Sequence, residues 1–157
     1  MAKDNLNALA VVESGIADEI RSIPEISGML DGDTLAVLAS CEEDFAAKLE
    51  FNVQKALGHT VAVYTNSVDE PRRNGAALSA TAHLTVEVSS NGLLTDDKKK
   101  STSDIALAII AVLDRSCYEA PFTPMPVLYV GSEIYENAGS YIHSARFDVQ
   151  FLLKPNR

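Results

Sequence analysis

Leu78-Ser-Ala-Thr-Ala-His-Leu-Thr-Val-Glu-Val88 is the stretch that decides the fold. Its even positions (Leu78, Ala80, Ala82, Leu84, Val86, Val88) are apolar and its odd positions (Ser79, Thr81, His83, Thr85, Glu87) are polar. Strand side chains alternate between the two faces of a sheet. Period two over this length therefore predicts a long strand with one buried and one wet face. The end of the chain repeats the pattern. Ala145, Phe147, Val149, Phe151 and Leu153 share one face, and Arg146, Asp148 and Gln150 the other. Pro155 stops that strand, because it has no N–H to donate.

Upstream, His59 to Ser67 reads as a strand, and its continuous run Val61-Ala-Val-Tyr64 suits a place inside a sheet. Asp69-Glu-Pro-Arg-Arg-Asn-Gly75 reads as a polar loop, which makes residues 60–90 a long antiparallel hairpin. Downstream, Asn91 to Lys100 reads as a polar connection. Ser101 and Asp104 resemble a capping box for a helix over 102–116, with Ile105, Ile109, Val112 and Leu113 inward. Pro121, Pro124 and Pro126 predict an extended connector. A strand from Val127 to Glu136, a turn at Asn137-Ala138-Gly139 and the closing strand over 140–153 follow.

The first third of the chain is helical in pattern. Leu6, Leu9, Val12, Ile16, Ile20 and Ile23 form a stripe over 4–23, capped by Asp4 or Asn5 and ended by Pro24. Gly15 weakens its middle. Residues 24–33 read as a connection with a turn at Asp31-Gly32-Asp33, and Thr34 to Ser40 as a short strand. A helix over 42–57 follows, opened by Glu42, Glu43 and Asp44, whose charges suit the helix dipole. It buries Phe45, Leu49, Val53 and Ala56/Leu57, and Gly58 ends it. The order is α-β-α-β-β-α-β-β. It predicts one α+β domain over residues 1–157, with helices packed on a mostly antiparallel sheet of four to five strands.

A net charge of −9 argues against general nucleic-acid binding, which needs a basic face. Lys98, Lys99 and Lys100 follow Asp96 and Asp97, so the only basic run is nearly balanced. The start of the chain lacks the charged-then-apolar pattern of a secretory signal, and no apolar run is long enough to span a bilayer. Both readings favour a cytoplasm. Cys41 and Cys117, distant and without a CxxC motif, are expected to be reduced and incidental.

Signatures of chemistry are missing. The sequence has no Gly-x-Gly-x-x-Gly, no phosphate loop, no His-Glu-x-x-His and no Gly-x-Ser-x-Gly. Asp31-Gly32-Asp33 lacks the further ligands of a calcium loop. His59, His83 and His143 are isolated; convergence with Glu87 or Asp148 on a metal is open, but no spacing favours it. His83 lies on a polar face, and His143, near a strand start, is expected to be exposed. The expectation is no catalytic residue, no metal site and no cofactor.

The run Thr60-Val-Ala-Val-Tyr-Thr65, the strand Ser79–Val88, the helix from Ser103 to Leu113, the stretch Gly131–Tyr141 and the run Ser144–Leu153 together resemble the tail terminator proteins of long-tailed bacteriophages, the minor tail protein U-like family. The resemblance covers Thr60 to Leu153; the helix–strand–helix before it is longer than the simplest terminators have. It implies a structural protein, not an enzyme. Such subunits form a ring, typically a hexamer, that caps the tail tube and offers a surface to head–tail connector proteins. The implied partners are other copies of the chain, the tail tube protein and connector proteins. The implied location is the cytoplasm during assembly and then the virion tail. Arg72 and Arg73 in the 69–75 loop, and Lys98, Lys99 and Lys100, are the candidate interface residues. Two alternatives remain open: another phage neck or tail-completion protein, and a small-ligand-binding or enzymatic domain on a ferredoxin-like α+β sheet.

Overall fold

A computed structural model describes residues 7–55, 58–75, 77–118 and 126–153. Among these, four helices pack on a six-stranded mixed sheet, an α+β fold. The elements are α1 (Ala8–Arg21), α2 (Pro24–Asp31), β1 (Leu35–Ala39), α3 (Phe45–Val53), β2 (His59–Val68), β3 (Arg72–Asn74), β4 (Ala77–Ser90), α4 (Asp96–Leu113), β5 (Val127–Asn137) and β6 (Ser140–Leu153). The strand order is β1-β2-β4-β6-β5, with β3 also paired to β4. Only β1 and β2 are parallel. No helix among the described residues is long and apolar enough to cross a membrane.

The alternation read from the sequence sets the register. β4 and β6 pair along nearly their whole length, Leu78 opposite Leu153 through Ser89 opposite Ile142. Their apolar sets therefore share one face. Ala80, Ala82, Leu84, Val86 and Val88 meet Ala145, Phe147, Val149 and Phe151, and all are buried. This face is the inner one. It takes Val12, Ile16, Ile20 and Ile26 from α1 and α2, and Ile105, Ile109 and Leu113 from α4. Burying a side chain of this size contributes about 1.5–3 kcal/mol. The inner face is thus the main source of stability.

At one end the opposite face is also covered. Leu38 and Ala62 point away from the inner core, yet both are buried, and α3 lies against β1 and β2. β2 is buried on both sides over its first half, as its unbroken apolar run predicts.

Polar ties fix α1 to the sheet. Buried Glu13 accepts hydrogen bonds from Ser40 Oγ, from Cys41 N (3.2 Å) and from Thr65 Oγ1 (2.7 Å). Arg21 donates to Glu42 (2.7 Å) and to the Val37 carbonyl (2.8 Å). Gly15 has a packing reason: a Cβ there would stand 2.6 Å from the Tyr118 ring. Tyr118 in turn donates its hydroxyl proton to Glu19.

Several boundaries differ from the sequence reading. Pro24 starts α2 instead of closing a helix into a connection; at the first helical position its missing N–H costs nothing. The expected 4–23 helix is Ala8–Arg21, and Asp4 and Asn5 lie outside the described residues. α3 is shorter than 42–57. Glu42, Glu43 and Asp44 precede it, and Asp44 caps it in a left-handed conformation (φ 59°). Its expected stripe is not a core: Phe45 and Leu49 are half-buried, Val53 is exposed, and buried Asn52 donates to the Lys48 carbonyl. Ala56 and Leu57 lie outside the described residues. α4 begins at Asp96, well before Ser101, because Thr95 accepts a hydrogen bond from the Lys98 amide. The connector prolines Pro121 and Pro124 also lie outside the described residues.

Candidate assembly interface

The two edges of the sheet are built differently. β1 is five residues long and almost wholly buried. β5 has eleven residues, and only Val127 is buried. Leu128, Tyr129, Val130, Ile134 and Tyr135 are all exposed, Val130 at 56% and Ile134 at 52%. No proline and no lysine interrupts the strand. β6 pairs with one side of it. On the other side Val127 accepts from the Arg115 N–H (2.6 Å) and donates to the Ser116 carbonyl (2.8 Å), and the Tyr129 N–H is held by Asp114, so the outer row of backbone groups is unpaired among the described residues only from Val130 to Asn137. A long apolar edge is a template for another chain unless something blunts it. The edge is blunted at its start by residues 114–116 and then by a bulge at Val130, where Tyr129 opposes Phe147 and Gly131 opposes Arg146.

The strand is nevertheless held rigidly. Tyr129 packs on Phe147 with ring centroids 5.6 Å apart, and its N–H donates to Asp114 (3.0 Å). Lys99 on α4 pairs with Glu136 (2.9 Å). A tight turn at Ala138 (φ 50°) and Gly139 (φ 81°) joins it to β6.

The sequence-derived interface residues fall in two places. Arg72 and Arg73 are not in a loop; they form β3, paired with Ser79 and Leu78. The hairpin simply continues past a break at residues 69–71, because β4 is long enough to take a second partner strand. Both arginines are exposed, and neither guanidinium makes an ion pair among the described residues. Lys98, Lys99 and Lys100 are in the first turns of α4. Lys98 Nζ donates to the Asn91 carbonyl, Lys99 is paired with Glu136, and Lys100 is exposed. The structure does not gather the lysines with the arginines.

The polar face carries a shallow hollow of about 430 Å³, lined by Asn66, Ser67, Asp69, His83, Leu84, Val130, Arg146 and Asp148. It lies where β2 has its own bulge, at Asn66, level with the bulge of β5. His83 bridges three elements: Nδ1 to Asp148 on β6 (2.6 Å) and Nε2 to Asp69 after β2 (2.8 Å). The Asp148 hydrogen bond, then that of Asp69, raises the imidazole pKa. His83 thus ties β4 to β6 and to the segment that follows β2.

His143 is the reverse. Its parity places it on the inner face opposite Val88 and Ile134. It is only 4% exposed, contrary to the sequence expectation, because α4 reaches over this end of β6, where Ser103 meets Tyr141. Neither ring nitrogen has a hydrogen-bond partner among the described residues, and burial lowers its pKa. His59, also inner and buried, bonds Thr102 (2.9 Å); burial lowers its pKa as well. His83 and His143 thus sit on opposite faces and cannot share an ion. No cluster of three His, Cys, Asp or Glu groups with metal-holding geometry occurs among the described residues.

Sequence reasoning missed the exposure of β5. Its residues are as apolar as those of a core strand, and only the strand order reveals that it is last. No protein-family model matches the sequence, and no curated protein matches it. Among solved structures, the fold is similar to that of a chain described as the virion of a native gene transfer agent (GTA) particle. The TM-score is 0.60 at 11% identity, over 93% of this chain and 98% of that one.

Proposed function

We propose that this protein is a virion structural subunit of the phage type. In its finer form, it is a tail terminator-like protein that caps the tail tube as a ring, typically a hexamer, and helps join the tube to the head. The observation that carries the reading is β5, a strand with exposed apolar side chains whose backbone edge the described residues leave uncovered from Val130 to Asn137. The likeness of fold to a chain of a gene transfer agent virion supports it over nearly the full length of both chains. On this reading no bond is made or broken; the tube protein and connector proteins are the partners, and the virion tail is the destination.

Magnitudes favour an assembly that waits for a template. The five exposed β5 side chains are already about half covered, so completing their burial contributes about 1 kcal/mol each. Association costs about 4–15 kcal/mol in lost rigid-body freedom. One edge contact alone is therefore weak. Ring closure, or docking on a tube end, supplies the remainder by making several contacts at once.

Purified tail tubes test the reading. Incubated with this protein, they should acquire a ring at one end in electron micrographs and cease to elongate. Tubes that keep growing, with the protein left in the unbound fraction, contradict it. A neck or tail-completion protein would instead bind heads or connector rings and leave naked tube ends unchanged.

A further inference from the structure

From Val130 onward β5 is one of two free edges among the described residues, and the second lies on the opposite side of the sheet. β1 pairs only with His59–Val63 of β2. From Tyr64 to Val68, and again along β3, the other side of this ribbon has no partner strand among the described residues. The stretch 64–74 is long enough to span the free part of β5, residues 130–137. One edge faces the β1 side and the other faces away from it, as the strand order requires.

The charges are complementary. β5 holds Glu133 and Glu136 and no basic residue. Glu136 is taken by Lys99, while Glu133 is exposed and makes no ion pair among the described residues. On the other edge Asp69 is taken by His83, which leaves Glu70 against Arg72 and Arg73. Register places Arg72, opposite Ser79, on the polar face, where Glu133 and Tyr135 also lie. Arg73, opposite Leu78, shares the inner face with Tyr129. Guanidinium groups pair with carboxylates and stack on tyrosine rings.

We propose that the 64–74 edge of one copy lies along β5 of the next, with Arg72 meeting Glu133, so that the sheet continues from subunit to subunit. This rests on the structural-subunit reading above and names the contact within it. Because the two surfaces differ, the contact is head-to-tail, the kind that closes into a ring when the rotation per step allows. Both surfaces are free backbone edges, so the affinity comes from strand pairing and the direction from the charges.

The test uses the full chain with Cys41→Ser and Cys117→Ser, its thermal melt first confirmed as that of the parent. Arg72→Cys with Glu133→Cys in one chain, oxidised at high protein concentration and again on tail tubes, should give a ladder of dimer, trimer and higher species. Either cysteine alone should give almost none. Charge reversal is the second arm. Arg72→Glu, or Glu133→Arg, should weaken self-association about tenfold, and the two combined should restore most of it. Dimers from Glu133→Cys alone would mean a symmetric β5 contact and overturn the proposal. So would the absence of a ladder under both conditions, or charge effects that merely add. Cross-links solely to the tube protein would also overturn it, assigning β5 to the tube while the capping reading, tested by tube termination, stands.

Discussion

β1 and β5 both end the same sheet, yet one is sealed by its own chain and the other is left bare over most of its length. β1 is short, runs parallel to β2, and has α1 and α2 on one face and α3 on the other. Arg21 even satisfies the carbonyl of Val37. β5 is twice as long and exposes apolar residues from Leu128 to Tyr135. A chain that can close one edge so thoroughly need not leave the other open for lack of means. The difference teaches where a partner is expected.

The sharpest way to break that comparison is one substitution in each edge. Val37→Asp buries an unpaired carboxylate beneath α1, and about 3–5 kcal/mol of stability should be lost. Val130→Asp sits on the exposed bulge, and monomer stability should change by about 0.5 kcal/mol or less. Its effect should fall on assembly instead. Urea unfolding beside sedimentation or tube binding separates the two. Equal destabilisation would mean that β5 is an ordinary structural edge.

The next test concerns the far end of the β5–β6 hairpin, where buried His143 lacks a hydrogen-bond partner among the described residues. A lowered pKa means the unfolded chain binds the proton more readily. His143 and His59 therefore stabilise the fold fully above about pH 6.5, and that stability is lost as pH falls toward the folded pKa. His83, raised, acts oppositely: its contribution is full below about pH 6.5 and is lost as pH rises through the folded pKa. His83 is partly exposed, so its share is the smaller. His143→Leu should stabilise the protein by about 1 kcal/mol and flatten the acid limb of melting temperature against pH. An unchanged acid limb would show that His143 is not the responsible group.

The smallest expected effect is at the turn of the same hairpin. Ala138 holds a left-handed conformation that suits asparagine better. Ala138→Asn should stabilise by roughly 0.5 kcal/mol without changing assembly, as read by urea midpoint. A loss of assembly would extend the contact surface to the turn.

Most of the sheet was legible because period two survives in β4 and β6, where one face is buried and register cannot slip, and because the unbroken apolar run of β2 marks a strand covered on both sides. Helix boundaries were less so. Pro24 has the same sequence signature as a stop and as a first helical residue, and Asp96 to Lys100 reads as loop until Thr95 is seen to cap it. Arg72 and Arg73 looked like turn residues because a three-residue strand has no periodicity of its own. The candidate interface was the least legible part. Leu128, Val130 and Ile134 carry no mark that tells an edge from a core; that depends on which strand lies last, a long-range property. His143 failed for a related reason: its burial comes from α4, not from its neighbours in the chain.

The most direct measurement is amide hydrogen exchange along β5, before and after the protein is bound to tail tubes. Outward-facing amides between Val130 and Asn137 should exchange fast in the free subunit and be strongly protected in the assembly. Unchanged β5 exchange, with new protection confined to α3 or α4, would contradict the reading of β5 as an interface.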